Sequence, residues 1–394
     1  MTPQGLAPRS RREVSLTRDR SIRHFLALDV TDVTASGERL DIFASSADAQ
    51  PVTSGEQGAA GRSPTLEDVA AVAGVSRSTA SRAINGGMRV SPDAQAAVDA
   101  AVLSLRFTPN RAARALVTQR TNAVALVIAE PDDRVTGDPF FAQVIQGMGQ
   151  ALGDSDFQMV LLIAKRDGSA ERTIRYLRHG HVDGAVVVSH HESDHIERAL
   201  LSASLPSVFV GRPWYLPDQL SYVDTDNRLG AELATRHLLD RGRRRIGTVA
   251  GPADMPAAVD RLAGWSAALI GRGLPDDAVE HGDFTTPGGA AAARRLLDRC
   301  PDVDAIFVAN DLMAVGVLGV LRAAGRTVPG DVALVGYDNA AVAAATEPPL
   351  TTVVNPIAEM ARTAGRVLLT RITQDRALAP PTIFPPELVV RSSS

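Results

Sequence analysis

The hydrophobic residues that first show a clear spacing fall into three short segments separated by turn residues. The segment 66–73 has helical spacing and begins with a capping box, in which the Thr65 hydroxyl and the Asp68 carboxylate satisfy free backbone amides. A glycine-containing turn leads to a second helical segment, Arg77–Ile84, which Ser76 can cap. The third helical segment begins at the pair Ser91-Pro92, because proline is common at the first position of a helix. The pattern predicts three short helices.

A different pattern begins after Thr121, where short runs of consecutive apolar residues alternate with amphipathic segments. Such runs are typical of buried parallel strands, and the intervening segments are typical of crossover helices. The predicted strands are Ala123–Ile128, Gln158–Ile163, Gly184–Val188, Ser207–Val210, Arg245–Ala250, Ala305–Val308 and Val332–Gly336. The predicted helices between them include Phe140–Leu152, Leu229–Arg241, Ala258–Arg272 and Leu312–Ala324. The pattern therefore predicts a parallel α/β body with more than one lobe.

Composition excludes several classes of protein. The chain has 394 residues, of which 45% are hydrophobic, so it can bury more than one core. Its one cysteine, Cys300, excludes a disulfide scaffold and a multi-cysteine metal site. We see no apolar run of the length that a membrane helix needs, and none that follows the N-terminal arginines as in a signal peptide. We therefore expect a cytoplasmic protein without membrane contact and without a cofactor.

The net charge of −4 argues at first against a nucleic-acid partner, but the charge is unevenly distributed. Residues 62–122 hold eight arginines against four acidic residues, a balance of +4. Residues 1–61 carry −1, and the remainder of the chain carries −7. A basic helical segment therefore precedes an acidic body. Residues 1–63 end in a stretch rich in Ser, Gly, Ala and Gln, which predicts a mostly disordered extension.

The first two predicted helices and the turn between them have the spacing of a helix-turn-helix. In the second helix, Ala80 and Ile84 lie on one face and can pack inward, whereas Arg77, Ser78 and Arg82 project elsewhere. Arginine suits the edges of guanine bases, and both serine and arginine bind phosphates. The spacing alone leaves open a plain helical hairpin with a solvated polar face.

Ordered blocks of residues along the chain resemble the LacI/GalR family of bacterial repressors. In the helical segment the blocks are Pro64–Ala70, Ala73–Ser76, Thr79, Ser81-Arg82, Asn85-Gly86, Val90-Ser91, Phe107–Asn110 and Ala112–Leu116. In the body they are Asp138–Phe141, Val182–Gly184, Arg261–Gly264, Gly282–Phe284, Ala309–Ala314, Gly336–Asn339, Leu350–Val353 and Pro386–Arg391. The resemblance covers residues 64–391, and so many blocks in the same order make it specific.

The resemblance implies a lambda-repressor-like helix-turn-helix DNA-binding domain over residues 64–120, with a hinge helix at 111–116 that folds on DNA. Two such domains in a homodimer would occupy successive major grooves of a pseudo-palindromic operator in double-stranded DNA. A tetramer is the alternative assembly. By the same comparison, Leu116 would enter the minor groove as a wedge and kink the DNA, although an ordinary packing leucine is the alternative.

The matching positions divide by the part of the DNA that they would contact. Those at the bases are Arg77, Ser78 and Arg82, and those near the phosphate backbone are Thr79 and Asn85. The resemblance implies further DNA-binding positions, which are Thr65, Ser76, Asn110, Arg111, Ala113 and Arg114.

The body, residues 121–391, resembles a type I periplasmic-binding-protein fold, with two parallel α/β lobes around a cleft. The resemblance places lobe 1 at about 121–222 and 355–381, and lobe 2 at about 223–354 and 382–391. The matching positions in the effector pocket are Phe140, Arg261, Phe284, Asn310 and Asp338. Charged groups can hold ligand hydroxyls or ring nitrogens, and aromatic rings can stack on an apolar face. The alternatives are that the two phenylalanines belong to the core and that Asn310 and Asp338 cap helices.

Taken together, the resemblance implies a transcriptional regulator, a repressor and not an enzyme, whose operator affinity a small-molecule effector controls. Asp138 stands where the family more often has asparagine, and Pro256–Ala258 is apolar where relatives often place hydroxyls. The effector therefore stays open among sugars, nucleosides and other small polar molecules.

Two other classes of protein fit part of the sequence. A solute-binding receptor would share the body but would carry a signal peptide and lack the helix-turn-helix. A zinc hydrolase is suggested by His191–His195, which fits the string H-E-x-x-H. Asp194 and Glu197 predict a capping box that starts a helix near His195. His191 would then lie in the preceding loop, so the two histidines would not share a helix face, and we predict no metal site.

Overall fold

The computed structural model of the chain describes residues 63–85, 90–108, 120–164, 169–374 and 378–394. Several predictions lie outside these residues: the N-terminal extension up to residue 62, the hinge helix at 111–116 with Leu116, and the DNA-binding positions Asn110, Arg111, Ala113 and Arg114.

The three predicted N-terminal helices are confirmed. Helix α1 spans Leu66–Val72, α2 spans Arg77–Ile84 and α3 spans Pro92–Leu105. The N–H of Thr65 donates to the Asp68 carboxylate at 2.7 Å, and the N–H of Asp68 donates to the Thr65 hydroxyl at 3.4 Å, which completes the capping box. We call residues 63–85 and 90–108 the head.

The head has a small core made of short side chains. Its fully buried members are Val69, Ala70, Ala80, Ala83, Val98 and Ala101. Alanines let the three helix axes approach closely, but they bury little apolar area, and burial contributes only about 25 cal/mol per Å². The head is therefore held by a modest hydrophobic term together with its helix caps.

The body contains two six-stranded sheets with helices on both faces. The first sheet has the order β11-β5-β4-β3-β1-β2 and is entirely parallel. Its strands are β1 Ala123–Ile128, β2 Gln158–Ile163, β3 Gly184–Val188, β4 Ser207–Val210, β5 Ser221–Thr225 and β11 Thr382–Phe384. Its helices are α4 Asp132–Gly137, α5 Pro139–Leu152, α6 Ser169–Arg178, α7 Ile196–Ser202 and α13 Ile357–Gln374. These elements form the first lobe.

The second sheet has the order β12-β10-β9-β8-β6-β7, in which only β12 is antiparallel to its neighbour. Its strands are β6 Ile246–Ala250, β7 Val279–His281, β8 Ala305–Val308, β9 Ala333–Asp338, β10 Thr351–Val354 and β12 Glu387–Val389. Its helices are α8 Asn227–Asp240, α9 Pro256–Ile270, α10 Thr286–Arg299, α11 Asp311–Ala323 and α12 Ala341–Ala345. These elements form the second lobe, and every strand predicted in either lobe overlaps an observed one.

The division between the lobes differs from the prediction by a few residues. The prediction placed residues 223–225 and 382–384 in the second lobe. In the structure β5 continues to Thr225 in the first sheet, and β11 pairs with it, with Thr382 opposite Val223. A three-residue strand such as β11 is too short to show a hydrophobic period, so the sequence carries no sign of the sheet it joins.

Helix pairs on the two lobes pack closely at glycines. A Cβ at Gly147 of α5 would lie 2.2 Å from the carbonyl oxygen of Ala358 on α13, and one at Gly264 of α9 would lie 2.1 Å from that of Arg228 on α8. Only a residue without a side chain fits at these contacts. Among the described helices, none is both long and apolar enough to cross a membrane.

Candidate functional site

The polar residues predicted to contact DNA form an exposed surface on α2. Arg77, Ser78 and Arg82 are all exposed, and Asn85 follows them at the end of the helix. The opposite side of α2 is buried through Ala80 and Ala83, which explains why the polar side chains face outward. The structure thus brings these predicted residues together on one face, whereas it leaves their contact with DNA a prediction.

Hydrogen bonds within α2 orient this surface. The Arg82 Nε donates to the carbonyl oxygen of Ser78 at 3.2 Å, and the Asn85 amide donates to that of Ser81 at 2.7 Å. The Ser76 hydroxyl accepts the N–H of Thr79 at 3.1 Å and so caps the helix. An ion pair of 2.7 Å joins Arg77 to Glu67 of α1. Exposed pairs of this kind contribute about 0–1 kcal/mol, so the surface can rearrange when a partner binds.

A cleft separates the carboxyl ends of the strands of the two lobes. The cleft is open to solvent at its mouth, and its empty volume including that mouth is about 630 Å³. All five predicted effector residues line it: Phe140, Arg261, Phe284, Asn310 and Asp338. Parallel α/β sheets place ligand sites beyond the carboxyl ends of their strands, and this cleft has that location in both lobes.

Arg261 is the buried cation of the cleft, only 5% exposed. Its Nε donates to the Asn227 side chain at 2.9 Å, and its Nη1 donates to the carbonyl oxygen of Ala309 at 2.5 Å. Its guanidinium also lies 3.6 Å from the ring centroid of Tyr337 and 3.5 Å from the Asp338 carboxylate. These partners leave the side chain little freedom, so its charge is held in place before any ligand arrives.

Asp338 ends β9 in a strained backbone conformation. Its φ of 104° lies in the region that favours glycine, and Phe284, which lines the cleft from the same lobe, has a φ of 65°. Such strain costs on the order of 1–3 kcal/mol and tends to occur at functional sites. The Asn355 amide donates to the Asp338 carboxylate at 3.0 Å. Burial raises the pKa of Asp338 to about 6, although the Arg261 charge opposes that shift.

The alternative roles of the predicted effector residues were helix caps and core packing, and the structure differs from residue to residue. Asn310 does cap a helix, because its oxygen accepts the N–H of Met313 at 2.9 Å, but it also lines the cleft. Asp338 does not cap α12, whose N-cap residue is Ala340. Phe140 packs edge-on against Phe141 and borders the core of the first lobe, yet it also lines the cleft.

Phe284 lies inside the closed part of the cleft and is 6% exposed. A Cβ at Gly251 would lie 2.3 Å from its Cζ, so the glycine after β6 makes room for the ring. The Arg134 guanidinium of the first lobe lies 5.5 Å from the centre of the same ring. Phe284 therefore serves both the core of the second lobe and the contact between lobes.

An ion pair closes the cleft on one side. Arg212, which follows β4 of the first lobe, contacts Asp260 on α9 of the second lobe through Nε and Nη2 at 2.9–3.1 Å. The backbone of Arg212 is itself held, because its N–H donates to Asp224 at 2.8 Å. Two-point pairing of this kind is geometrically specific, and here it fixes the distance between the lobes.

Sequence reasoning missed several residues that line the cleft: Arg134, Ser189, His190, Val210, Arg212, Met255 and Asn355. Most of them end a strand or follow it within two residues, so the location rule that favoured Asp338 applies to them as well. The exceptions are Arg134, which lies in α4, and Met255, which precedes α9. The two departures from the family pattern, Asp138 and Pro256-Ala257, also line the cleft, and burial raises the pKa of Asp138.

The histidines of the H-E-x-x-H string are separated, as predicted. His195 is exposed with a φ of 51°, and α7 begins after it, whereas His191 lies before a short 3-10 helix and is buried. Its Nε2 lies 3.2 Å from Glu130 and its Nδ1 lies 3.0 Å from Asp254 of the second lobe. Within the described ranges no cluster of three His, Cys, Asp or Glu side chains could hold a metal ion.

The predicted capping box at this helix was wrong. The carboxylate of Asp194 accepts the N–H of His191 at 2.7 Å instead of capping α7. Glu197 accepts the backbone N–H groups of Trp214 and Tyr215 at 2.6 and 2.7 Å. The buried position of Glu197 directs its carboxylate to the loop after β4, so it cannot turn back to the helix end.

Comparison with known proteins agrees with this architecture. Residues 65–110 match the family "Bacterial regulatory proteins, lacI family", and residues 235–394 match "Periplasmic binding protein-like domain". The chain is 48% identical over 335 residues to the HTH-type transcriptional regulator CelR of Thermobifida fusca. The matched region covers 84% of this chain and 98% of the relative. It is 35% identical to the ribose operon repressor of Escherichia coli K12, over 79% of this chain and 93% of the relative.

Solved structures extend the comparison to three dimensions. The transcriptional regulator CelR in complex with cellobiose matches with a TM-score of 0.68 at 46% identity, covering 84% of this chain and 100% of that chain. The lac repressor dimer bound to operator and the anti-inducer ONPF matches with a TM-score of 0.74 at 26% identity, covering 84% and 99%.

A helix-turn-helix joined to a two-lobed α/β body with a ligand cleft defines a DNA-binding transcriptional regulator under small-molecule control. With relatives of this identity and coverage, the chain belongs to the LacI family of bacterial regulatory proteins. The resemblance found in the sequence is therefore confirmed for the family and for the fold.

Proposed function

We propose that the chain is a homodimeric repressor whose affinity for a pseudo-palindromic operator is controlled by an uncharged disaccharide of the cellobiose type. The cleft carries this proposal. Phe140, Phe284 and Met255 supply an apolar lining for the face of a pyranose ring, and Arg261 and Asp338 supply polar groups for its hydroxyls. The relative CelR is known as a complex with cellobiose, which supports this class of sugar.

The polar groups that line the cleft also suit a sugar. Asp338 can accept hydrogen bonds from ring hydroxyls, and charge-assisted bonds of this kind are worth about 1.5–3 kcal/mol each. By closing on a sugar, the lobes would favour one of two arrangements of the body, and operator affinity would follow that population.

We propose that α2 enters the major groove, with Arg77, Ser78 and Arg82 at the bases. Thr65, Ser76, Thr79 and Asn85 would then contact the phosphate backbone or orient the side chains that do. Supporting this assignment, the three base-contacting candidates are exposed together on one face of a capped helix. The balance of +4 over residues 62–122 would attract DNA and make binding weaken steeply with salt.

The hinge helix remains part of the proposal. We propose that the segment 111–116 folds on DNA, with Asn110, Arg111, Ala113 and Arg114 beside the minor groove and Leu116 inserted as a wedge. A wedge costs a few kcal/mol of base unstacking, which the additional surface brought into contact by the bend offsets. Leu116→Ala should reduce the bend angle measured by gel mobility of circularly permuted DNA fragments. An unaltered angle would contradict the wedge.

The proposal is tested by selecting the preferred site from random double-stranded DNA and titrating it by fluorescence anisotropy. We expect an enriched pseudo-palindrome, and a change of operator affinity of about tenfold or more when cellobiose is added, typical of allosteric coupling. Maltose is the matched control, because it has the same two glucose units in an α-linkage. Sedimentation of the same sample distinguishes a dimer from a tetramer.

Each part of the proposal can fail separately. The absence of any enriched palindrome would contradict the DNA-binding part. Equal responses to cellobiose and maltose, or none to either, would contradict the choice of effector while leaving DNA binding intact. We further propose that the protein acts by binding alone, without catalysis, and in the cytoplasm where its operator is located. Cleavage of cellobiose by the purified protein would contradict that view.

A further inference from the structure

His190 lines the cleft from the first lobe, two residues after β3 ends, and is only 3% exposed. Its imidazole packs edge-on against the ring of Phe209, with centroids 5.2 Å apart. Its Nε2 lies 3.0 Å from the carbonyl oxygen of Arg212, the same residue whose side chain pairs with Asp260 across the cleft. The ring is thus fixed in both position and rotation.

These contacts determine which ring nitrogen carries the proton. A carbonyl oxygen can only accept a hydrogen bond, so Nε2 must be the donor and must be protonated. Burial lowers the pKa of His190 to about 4, so the imidazole is neutral near neutral pH. The Oε1 atom of Glu197 is 3.9 Å from Nε2, beyond hydrogen-bond distance. Nδ1 therefore carries a lone pair and can only accept.

This acceptor has no partner in the part of the chain that the structure describes. Nδ1 is buried and has no hydrogen-bond partner among the residues that the structure describes. A buried acceptor without a donor is unfavourable, and a ligand donor placed in the cleft would remove the penalty. Asn355, on the segment that joins the lobes, shows the same feature. Its amide donates to Asp338, and its Oδ1 has no hydrogen-bond partner among the described residues.

The cations of the cleft point to the charge of the ligand. Arg134 pairs with Glu130 at 2.6 Å, Arg212 pairs with Asp260, and Arg261 lies 3.5 Å from Asp338. Each guanidinium that lines the described cleft therefore already has a carboxylate partner. An anionic ligand would have to displace one of these carboxylates, and it would also face Asp138. The lining favours a ligand that is uncharged and rich in hydrogen-bond donors.

We propose that Nδ1 of His190 accepts a hydrogen bond from a hydroxyl of the effector and thereby selects an uncharged, hydroxyl-bearing ligand. The inference rests on the proposed function, since it names a contact that the same cleft makes with its sugar. His190 is then a specificity-determining residue for effector binding, and its partner Arg212 keeps it in the accepting tautomer.

The test combines ligand variants with protein variants, using the full chain and calorimetric titration. The ligands are cellobiose and its monodeoxy derivatives, each lacking one hydroxyl. The variants are His190→Phe, which keeps the ring and removes the acceptor, and His190→Gln, which retains an acceptor. In the wild type, removing the hydroxyl that faces His190 should weaken binding about tenfold, the value of one hydrogen bond. His190→Phe should bind that deoxy sugar and cellobiose with equal affinity. His190→Gln should again bind cellobiose more tightly than the deoxy sugar, by a smaller factor than the wild type.

A second measurement detects the contact in the wild-type protein and uses a variant only to assign the resonance. In protein labelled with ¹⁵N at histidine, cellobiose should shift the Nδ1 resonance of one neutral histidine, and that resonance should be missing from His190→Phe. Cellobiose carrying a phosphate should bind at least about a hundredfold more weakly than cellobiose, because charges without partners are excluded.

The outcomes separate this inference from the proposed function. If wild-type protein binds no disaccharide, the proposed function fails and this inference fails with it. If it binds cellobiose but His190→Phe discriminates among the deoxy sugars as the wild type does, or no histidine Nδ1 resonance shifts, only this inference is overturned. Tighter binding of the phosphorylated sugar would overturn the selection for an uncharged ligand.

Discussion

The head and the cleft hold their functional side chains in opposite ways. In the head, Arg77 and Arg82 are exposed; Arg77 pairs with the exposed Glu67 of α1, and Arg82 bonds to a carbonyl oxygen one turn earlier in its own helix. In the cleft, Arg261 and Asn310 are buried, and each bonds to groups from other elements at 2.5–3.0 Å. The same chemical groups are therefore loosely held at one site and rigidly held at the other.

The difference follows from the size of the partner that each site binds. DNA is large and brings its own acceptors, so exposed side chains with weak local contacts can adjust to it at little cost. A small effector offers few contacts, so the protein must order its side chains in advance if binding is to be favourable. If this contrast between adaptable and preorganised side chains holds in solution, substitutions in the cleft should have larger effects than substitutions in the head.

The largest effect should come from removing the buried cation of the cleft. Arg261→Ala leaves the Asn227 side chain, the Ala309 carbonyl and the Asp338 carboxylate without their partner, and breaking a buried pair costs about 3–5 kcal/mol. We expect the free energy of unfolding in urea to fall by that amount. The control is Arg272→Ala, which breaks an exposed pair with Asp240 and should cost less than about 1 kcal/mol. Equal losses would contradict the contrast between rigid and loosely held groups.

The next effect concerns ligand binding and not stability. Asp338→Asn keeps the shape of the side chain and its bond to Asn355, but it removes the charge. Because charge-assisted hydrogen bonds are worth about 1.5–3 kcal/mol, we expect cellobiose affinity to fall about a hundredfold. Operator binding without the sugar should be unchanged. A variant that keeps its response to cellobiose would remove Asp338 from the effector site.

The pH dependence of binding gives an independent check on Asp338. Burial raises its pKa to about 6, so the charged form predominates above pH 6 and is lost as the pH falls below that value. Cellobiose affinity of the wild type should therefore decrease between pH 7 and pH 5. In Asp338→Asn the affinity should stay nearly constant over this range. Parallel decreases in both proteins would assign the effect to another group.

A smaller effect is expected in the head, where a single exposed contact is removed. Arg82→Ala should weaken binding to the selected operator by about 1–3 kcal/mol and reduce the preference for that site over random DNA. The matched control is Arg172→Ala, which removes an exposed arginine from the body and should leave operator affinity unchanged. The free energy of unfolding should not change in Arg82→Ala, because the Arg82 side chain is exposed and bonds to the Ser78 carbonyl oxygen of its own helix. Unchanged operator affinity would exclude a base contact.

The sequence predicted the elements whose pattern is local. The caps at Thr65 and Ser76 and the buried strand runs depend on neighbouring residues, and the structure shows them where the spacing indicated. What could not be predicted depends on distant contacts. The pairing of Arg212 with Asp260 arises only when the two lobes face each other, and the accepting tautomer of His190 depends on a carbonyl 22 residues further along the chain. The capping box at Asp194 failed for the same reason, because a loop from another part of the chain binds Glu197.

The smallest effect tests whether the head depends on its local contacts. Ser76→Ala removes the hydroxyl that accepts the N–H of Thr79 at the start of α2, and loss of such a cap costs about 1 kcal/mol. The head has only a small alanine-rich core, so we expect this loss to appear as faster hydrogen exchange of the amides in α1 and α2, with the body unaffected. Ser78→Ala is the matched control, since the Ser78 hydroxyl bonds to that of Ser76 and the helix cap is Ser76 itself. If both variants exchanged like the wild type, the helix cap would not limit the stability of the head, and its core would be sufficient alone.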